Sequence, residues 1–269
     1  MIRRIPNLIL LALIAAGCYT PESRQAVLSR TWKASEVTQI EVRGHNGRIH
    51  VEGADIPEIR MTARIRLKGS DREATPEKLI RTELANGRLR IEERGARSVV
   101  KLPFLRRDRR VDFEILVPRH LNLQARTING RVEVGGVDGE LDLKSINGRI
   151  EVSTPRGELT ASTINGRIQA EFTEQFRGAR LKSINGGITI EVPRDSSLDL
   201  DIRQVNGSFQ TDLPVVVESS GRRSTQGSVH GGKFALEVET VNGSVRLRQA
   251  AAAVIDETPA TLGEPTPNT

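Results

Sequence analysis

The chain is short of the residues that usually fill a thick core or run chemistry. Of 269 residues, six are Phe, one is Trp and one is Tyr. With so few rings, a wide interior is hard to fill. The Val, Ile, Leu and Ala that dominate the apolar set suit a narrow core of stacked aliphatics. There is one cysteine, Cys18, which excludes an internal disulfide. The four histidines, His45, His50, His120 and His230, show no metal-ligand spacing, and no Cys or acidic cluster accompanies them. No G-x-S-x-G elbow, Walker loop or H-E-x-x-H motif occurs. We therefore expect no metal, no cofactor and no catalytic centre.

Charge is in modest excess. Forty Lys and Arg against 34 Asp and Glu leave a formal +6. Arg outnumbers Lys, so the excess suits either solvated strand faces or anionic partners such as lipid headgroups and acidic glycans. Nucleic acid is a poor candidate, because few aromatics are available for base stacking. The N-terminus also points away from the cytoplasm. "MIRR" is a charged leader, and "LILLALIAA" is an apolar stretch too short to span a bilayer comfortably. "AAGC" then resembles a bacterial lipobox. That resemblance implies a lipoprotein signal peptide over 1–17 and a lipidated Cys18. A tether over 18–36 would follow, with the protein anchored at the cell envelope. Tyr19 favours the outer membrane if the host is Gram-negative.

An internal repeat organises the rest. "TINGRVEV", "SINGRIEV" and "TINGRIQA" recur at steps of 18 residues. The turns are Asn129-Gly130, Asn147-Gly148, Asn165-Gly166, Asn185-Gly186, Asn206-Gly207 and Asn242-Gly243, with Gln226 filling the gap before the last. Aligned on the asparagine, four apolar columns appear. Six residues before it stand Leu123, Leu141, Leu159, Ala179, Leu200 and Leu236. Four before stand Ala125, Leu143, Ala161, Leu181, Ile202 and Val238. One before stand Ile128, Ile146, Ile164, Ile184, Val205 and Val241. Three after stand Val132, Ile150, Ile168, Ile188, Phe209 and Val245. Polar residues separate the columns, which is the period of a strand with one buried face. A hydroxyl column (Thr127, Ser145, Thr163, Ser183, Thr240) sits two before the turn.

Two folds fit this pattern. Asn-Gly is a strong hairpin signal, so an antiparallel β meander is one. The other is an all-β, single-stranded parallel β-solenoid, or β-helix-like, repeat domain. Only the solenoid explains matched residue types in every column, because like then stacks on like about 4.8 Å away. Aliphatic ladders would fill the core, and asparagine amides would pair along the stack. The corners would need Asn and Gly for their tolerance of positive φ. Six steps give a rod of about 29 Å.

Outside the repeats, "QIEVRGHNGRIHVEG" carries its own Asn46-Gly47 turn. "TPEKLIRTEL" (75–84) predicts one short helix, with Thr75 as N-cap and Pro76 at the first position. "NGRLRIEE" returns to strand, and "KLPFLRRDRR" (101–110) is a basic loop that could touch anionic lipid. Regular repeats run over about 121–248, and the Ala-, Pro- and Thr-rich 249–269 reads as a disordered tail. Arg246, Arg248 and Gln249 would guard the last coil against end-to-end pairing. The stretch 37–248 resembles the bacterial putative-adhesin family of β-strand-repeat proteins. The residues that carry the resemblance are "MTARIRL", "TPEKLIRTEL", "RLRIEE", "VDFEILVPRHLNLQARTINGRVEVGGVDGEL" and the repeated Ser/Thr-x-Asn-Gly turns. It implies a solenoid-like envelope domain and brings no catalytic residues.

Two constellations remain. Asp138, Glu140 and Asp142 cluster near one turn, but the next coil puts Arg156, Glu158 and Thr160 there. A paired acid/base site of the kind polysaccharide-cleaving solenoids use is thus weakly supported. Arg131, Arg149 and Arg167 stack two residues after each asparagine, with Arg48 and Arg88 at the same local position in earlier turns. Glu133, Glu151 and Gln169 stand two residues further on. The row is either a self-compensating surface ladder or a stripe for an anionic ligand. The expectation from sequence is a non-enzymatic, lipid-anchored envelope protein for adhesion or scaffolding. Its partners would be the membrane, through the anchor, and an anionic envelope polymer or another surface protein. The alternatives are a polysaccharide-acting solenoid enzyme and a polymerising structural protein.

Overall fold

The computed structural model describes residues 23–68, 75–94, 109–173 and 175–250. The expected signal peptide, Cys18, the tail from 251 onward and residues 101–108 of the basic loop lie outside these.

The chain opens with β1 (Ser23–Lys33), β2 (Gln39–Arg43), β3 (Ile49–Ala54) and β4 (Glu58–Lys68). A one-turn helix α1 (Pro76–Leu79) leads into β5 (Ile80–Ala85), β6 (Arg88–Glu93) and β7 (Arg109–Pro118). The repeats follow as strand pairs: β8 (Asn122–Asn129) with β9 (Val132–Gly135), β10 (Leu141–Asn147) with β11 (Ile150–Ser153), and β12 (Leu159–Asn165) with β13 (Ile168–Glu171). Then come β14 (Ala179–Asn185) with β15 (Ile188–Val192), and β16 (Leu198–Asn206) with β17 (Phe209–Thr211). A hairpin of β18 (Val216–Ser220) and β19 (Ser224–Val229) precedes the last pair, β20 (Phe234–Asn242) and β21 (Val245–Gln249).

The two strands of a unit belong to different sheets, which rules out the meander. One sheet runs β18-β19-β16-β20-β14-β12-β10-β8-β2-β6-β5, and the other β1-β4-β7-β3-β9-β11-β13-β15-β21-β17. Equivalent strands of successive units pair in parallel and in register: Leu141 with Leu159, Asn147 with Asn165, Ile150 with Ile168. The result is a two-sheet parallel solenoid whose thin core lies between the sheets. Each column expected six and four before the asparagine is buried, as is the one three after it except at Phe209, which packs on the core partly exposed. A fully buried Leu or Ile contributes roughly 1.5–3 kcal/mol, so a core one side chain deep per sheet is enough when many coils repeat it.

Chain order and stacking order differ, contrary to a simple reading of the repeat. β21 pairs with β15 on one side and β17 on the other, and β20 likewise lies between β14 and β16. The last unit of the chain is therefore an inner coil. Arg246, Arg248 and Gln249 sit on a strand paired on both sides and do not guard an end. Gln226 is no corner either: it lies in β19, which runs antiparallel to β16. The N-terminal end repeats the device, because β2 lies between β6 and β8, and β3 between β7 and β9.

Antiparallel strands close three of the four sheet edges, and the fourth is β17, parallel to β21. β1 pairs with β4 along all 11 of its residues, and β4 with β7. The expected tether is thus strand from Ser23 onward. Leu28 and Trp32 draw it in, since both are buried against the core. The predicted helix over 75–84 is also corrected. Only Pro76–Leu79 is helical, and Thr75 makes no side-chain cap. From Ile80 the segment pairs with β6 through a two-residue turn at Asn86 and Gly87, with φ of 50° and 73°. Four helical residues bring too few hydrogen bonds to compete with a full antiparallel ladder.

Candidate functional site: the asparagine corner

The corner between the two sheets is built from the repeated Ser/Thr-x-Asn-Gly turns. Its asparagines form one continuous amide ladder. Each Nδ2 donates to the Oδ1 of the coil below: Asn129 to Asn46, Asn147 to Asn129, Asn165 to Asn147 and Asn185 to Asn165, all at 2.8 Å. Asn242 then donates to Asn185 at 2.8 Å and Asn206 to Asn242 at 2.9 Å. The ladder therefore has six steps, as the sequence suggested. Asn46 takes the place expected for Gln226, and Asn242 comes before Asn206.

The glycines answer to a different constraint from the one expected. Among the ladder's turn glycines only Gly47 (φ 138°) and Gly186 (φ 156°) have positive φ. What the others share is close backbone approach. A Cβ on Gly148 would lie 1.8 Å from the carbonyl oxygen of Gly130, and one on Gly166 1.9 Å from that of Gly148. The hydroxyl column completes the seal. Ser145, Thr163 and Ser183 donate to the carbonyls of Gly130, Gly148 and Gly166 at 3.3, 3.0 and 3.2 Å. These hydroxyls point inward and are buried.

That inward row pushes the next residue out. The column one before the asparagine does not join the core: Ile146, Ile164 and Val205 are 41%, 40% and 45% exposed, and Ile128, Ile184 and Val241 are half-buried. A cue to this was present in the sequence. The hydroxyls are in phase with the buried columns two and four residues earlier, so their successor had to face solvent. His45 begins the same outward row, one residue before Asn46.

On the far side of the corner, Arg48, Arg131, Arg149 and Arg167 immediately precede the neighbouring strands β3, β9, β11 and β13, one step before each strand's first core residue. Arg88 does not join them, because it starts β6 in the other sheet. Arg131 lies 2.9 Å from Glu133, and Arg149 3.0 Å from Glu151. Arg48 bridges to Glu133 at 3.3 Å, and Arg131 comes within 4.0 Å of Glu151. The hydrogen bond to Glu133 raises the pKa of Arg131 above its ordinary value, against a smaller opposing effect of desolvation. Gln169 takes the glutamate's place beside Arg167.

The other candidates do not converge. Asp142 lies on the outer face of the first sheet between Arg126 (3.3 Å) and Lys144 (3.1 Å), while Asp138 meets Arg156 at 3.7 Å. Each of these carboxylates faces a cation instead of another acid across a cleft. His50 Nδ1 is 3.4 Å from Glu133, and His230 Nδ1 is 3.2 Å from the Ser196 carbonyl. Among the described residues no three His, Cys, Asp or Glu are grouped to hold a metal ion, and no helix is long and apolar enough to cross a membrane.

Fold and corner together define a repeat protein that displays long rows of side chains, a parallel solenoid of the toastrack type. The chain belongs to the Toastrack DUF4097 family, which matches residues 33–248. It is similar to the crystal structure of a putative cell adhesion protein from Clostridium sporogenes, with 12% identity, a TM-score of 0.50, and coverage of 84% of this chain and 100% of that one. It also matches the structure of a putative adhesin from Bacteroides fragilis, with 11% identity, a TM-score of 0.38, and coverage of 83% and 97%. At these identities the likeness concerns the fold. No curated protein matches the chain.

Proposed function

We propose that this protein is a non-enzymatic, lipid-anchored component of the cell envelope that works in adhesion or scaffolding through the asparagine corner. One observation carries the reading: the corner is an unbroken row of like side chains, held by the amide ladder that runs from Asn46 to Asn206. Such a surface suits a partner that is itself extended, and contributes many weak contacts in place of one deep pocket. Asp138 and Asp142 sit in separate ion pairs with cations, an arrangement that supports display over paired-acid catalysis. The anchor on Cys18 follows from the lipobox-like N-terminus, and with Tyr19 it favours the outer membrane of a Gram-negative host.

In this reading Arg131, Arg149 and Arg167 grip an anionic envelope polymer. The test is capture of a soluble polyuronate by the chain from residue 19 onward, which keeps every described element. Arg131→Gln, Arg149→Gln and Arg167→Gln together should weaken capture about tenfold at low ionic strength and lower its salt dependence. Unchanged capture by a folded triple variant would refute the role of the stripe.

A further inference from the structure

Across the corner the side-chain rows are ordered by chemistry. At the crest lie the exposed aliphatic row and the asparagine ladder. Three residues before each asparagine the outward row is basic: Arg43, Arg126, Lys144, Lys182 and Arg203, interrupted by Ser162 and Glu239. Two residues after it comes the row of Arg48, Arg131, Arg149 and Arg167. Cations therefore flank the crest on both sides from Asn46 to Asn165; beyond it Gly187, Ser244 and Ser208 end the second row and the basic flank is one-sided. Lys182 is paired within its row, to Glu239 at 2.8 Å, but most of the other partner carboxylates stand one row further away. Asp142 holds Lys144 and Asp201 holds Arg203 on one flank, and Glu133 holds Arg131 and Glu151 holds Arg149 on the other. A soluble, self-compensating surface has no need to sort its charges about an apolar line.

A second, independent observation concerns where the chain enters the fold. Ser23 pairs with Lys68, the neighbouring Leu67 with Arg109, and Val111 donates to the Asn46 carbonyl at 2.9 Å. The first residue of β1 is thus on the corner side of its sheet, at the N-terminal end of the ladder. Cys18 is five residues earlier, a reach of at most about 18 Å. A lipid on Cys18 would hold the bilayer beside the crest and away from the far turns.

We propose that the asparagine corner docks lengthwise on an anionic lipid bilayer, its Ile and Val row entering the headgroup boundary and its two Arg/Lys rows meeting lipid phosphates. This goes beyond the polymer reading above by giving the same corner a lipid partner, and it rests on that corner being the working surface. An apolar line between basic flanks is the side-chain order of interfacial membrane binding. A soluble polyanion would use the flanks and leave the aliphatic row idle.

The experiment uses the chain from residue 19, without lipid, and vesicles of neutral phosphatidylcholine with or without about one third anionic phosphatidylglycerol. Cosedimentation is expected with the anionic vesicles and not the neutral ones, and should weaken with salt. Ile146→Ser with Ile164→Ser should reduce partitioning roughly tenfold. A loosened stack would mimic that loss, so Ile164→Trp supplies a second readout. The emission of the introduced indole should shift to shorter wavelength when anionic vesicles are added, against the background of the buried Trp32. No vesicle binding, or binding that ignores the Ile→Ser pair and leaves the emission of the Ile164→Trp variant fixed, overturns the proposal. If the chain captures soluble polyuronate but no vesicles, the bilayer inference falls and the polymer reading stands. If it captures neither, both fall.

Discussion

Replacing Gly148 by Ala tests why the corner needs glycine. The new Cβ would sit 1.8 Å from the Gly130 oxygen and 2.7 Å from its carbonyl carbon. Both are backbone atoms, so no side chain can swing aside. Relief requires the two coils to part by roughly an ångström or more at this point, against the bonds that hold them together there. Gly130 N donates to the Asn147 carbonyl at 3.1 Å, Ser145 Oγ to the Gly130 carbonyl at 3.3 Å, and Asn147 Nδ2 to Asn129 at 2.8 Å. Losing two or three of these at about 1 kcal/mol each costs about 2–3 kcal/mol. With the remaining overlap strain, the expected destabilisation is about 3–5 kcal/mol. Urea unfolding of the chain from residue 19 measures it. Gly187→Ala is the control: it lies in the neighbourhood of the same corner, its φ is ordinary, and the only atom within 4 Å of its Cβ is the Ser244 oxygen at 3.2 Å. It should change stability by no more than about 1 kcal/mol. A Gly148→Ala costing under about 1 kcal/mol would show that steric approach is not the reason.

Two further outcomes are expected. Asn147→Ala breaks a ladder bond on each side, whereas Asn206→Ala breaks only the terminal one. Urea unfolding should therefore find Asn147→Ala the more damaging by about 1 kcal/mol. Glu41 is buried in the sheet face between Arg43 and Arg90. Burial alone would raise its pKa, but the hydrogen bonds from Arg90 (3.0 Å) and Arg43 together outweigh it and hold the carboxyl below its usual value. A depressed folded pKa stabilises above the unfolded value of about 4.3 and is lost as pH falls through the folded one. Glu41→Gln should therefore destabilise at neutral pH. Its deficit relative to the unchanged chain should shrink as unfolding is followed from about pH 5 downward.

Much of the architecture is written in local pattern. The 18-residue step, the in-register columns and the asparagine at each corner follow from residue type and spacing, because stacking like on like at the strand separation rewards matched columns. The solenoid, the burial of Leu143 and Ile150, and the amide ladder are all legible at that level. Where each coil stacks is not. The order Asn185, Asn242, Asn206 depends on the β18–β19 hairpin carrying the chain back so that β20 and β21 fill an inner place. A repeat unit that pairs equally well with any of its equals carries no address in its own residues. The fate of β1 was likewise a tertiary decision, made by pairing with residues far along the chain (Ser23 with Lys68, Thr31 with Arg60). Within the corner, sequence placed Arg131, Arg149 and Arg167 in one row but misread Ile146 and Ile164. Hydrophobicity says what a side chain prefers, while the phase of the strand, set by the inward hydroxyls of Ser145 and Thr163, decides which way it points. That phase puts an aliphatic line on the outside of the molecule.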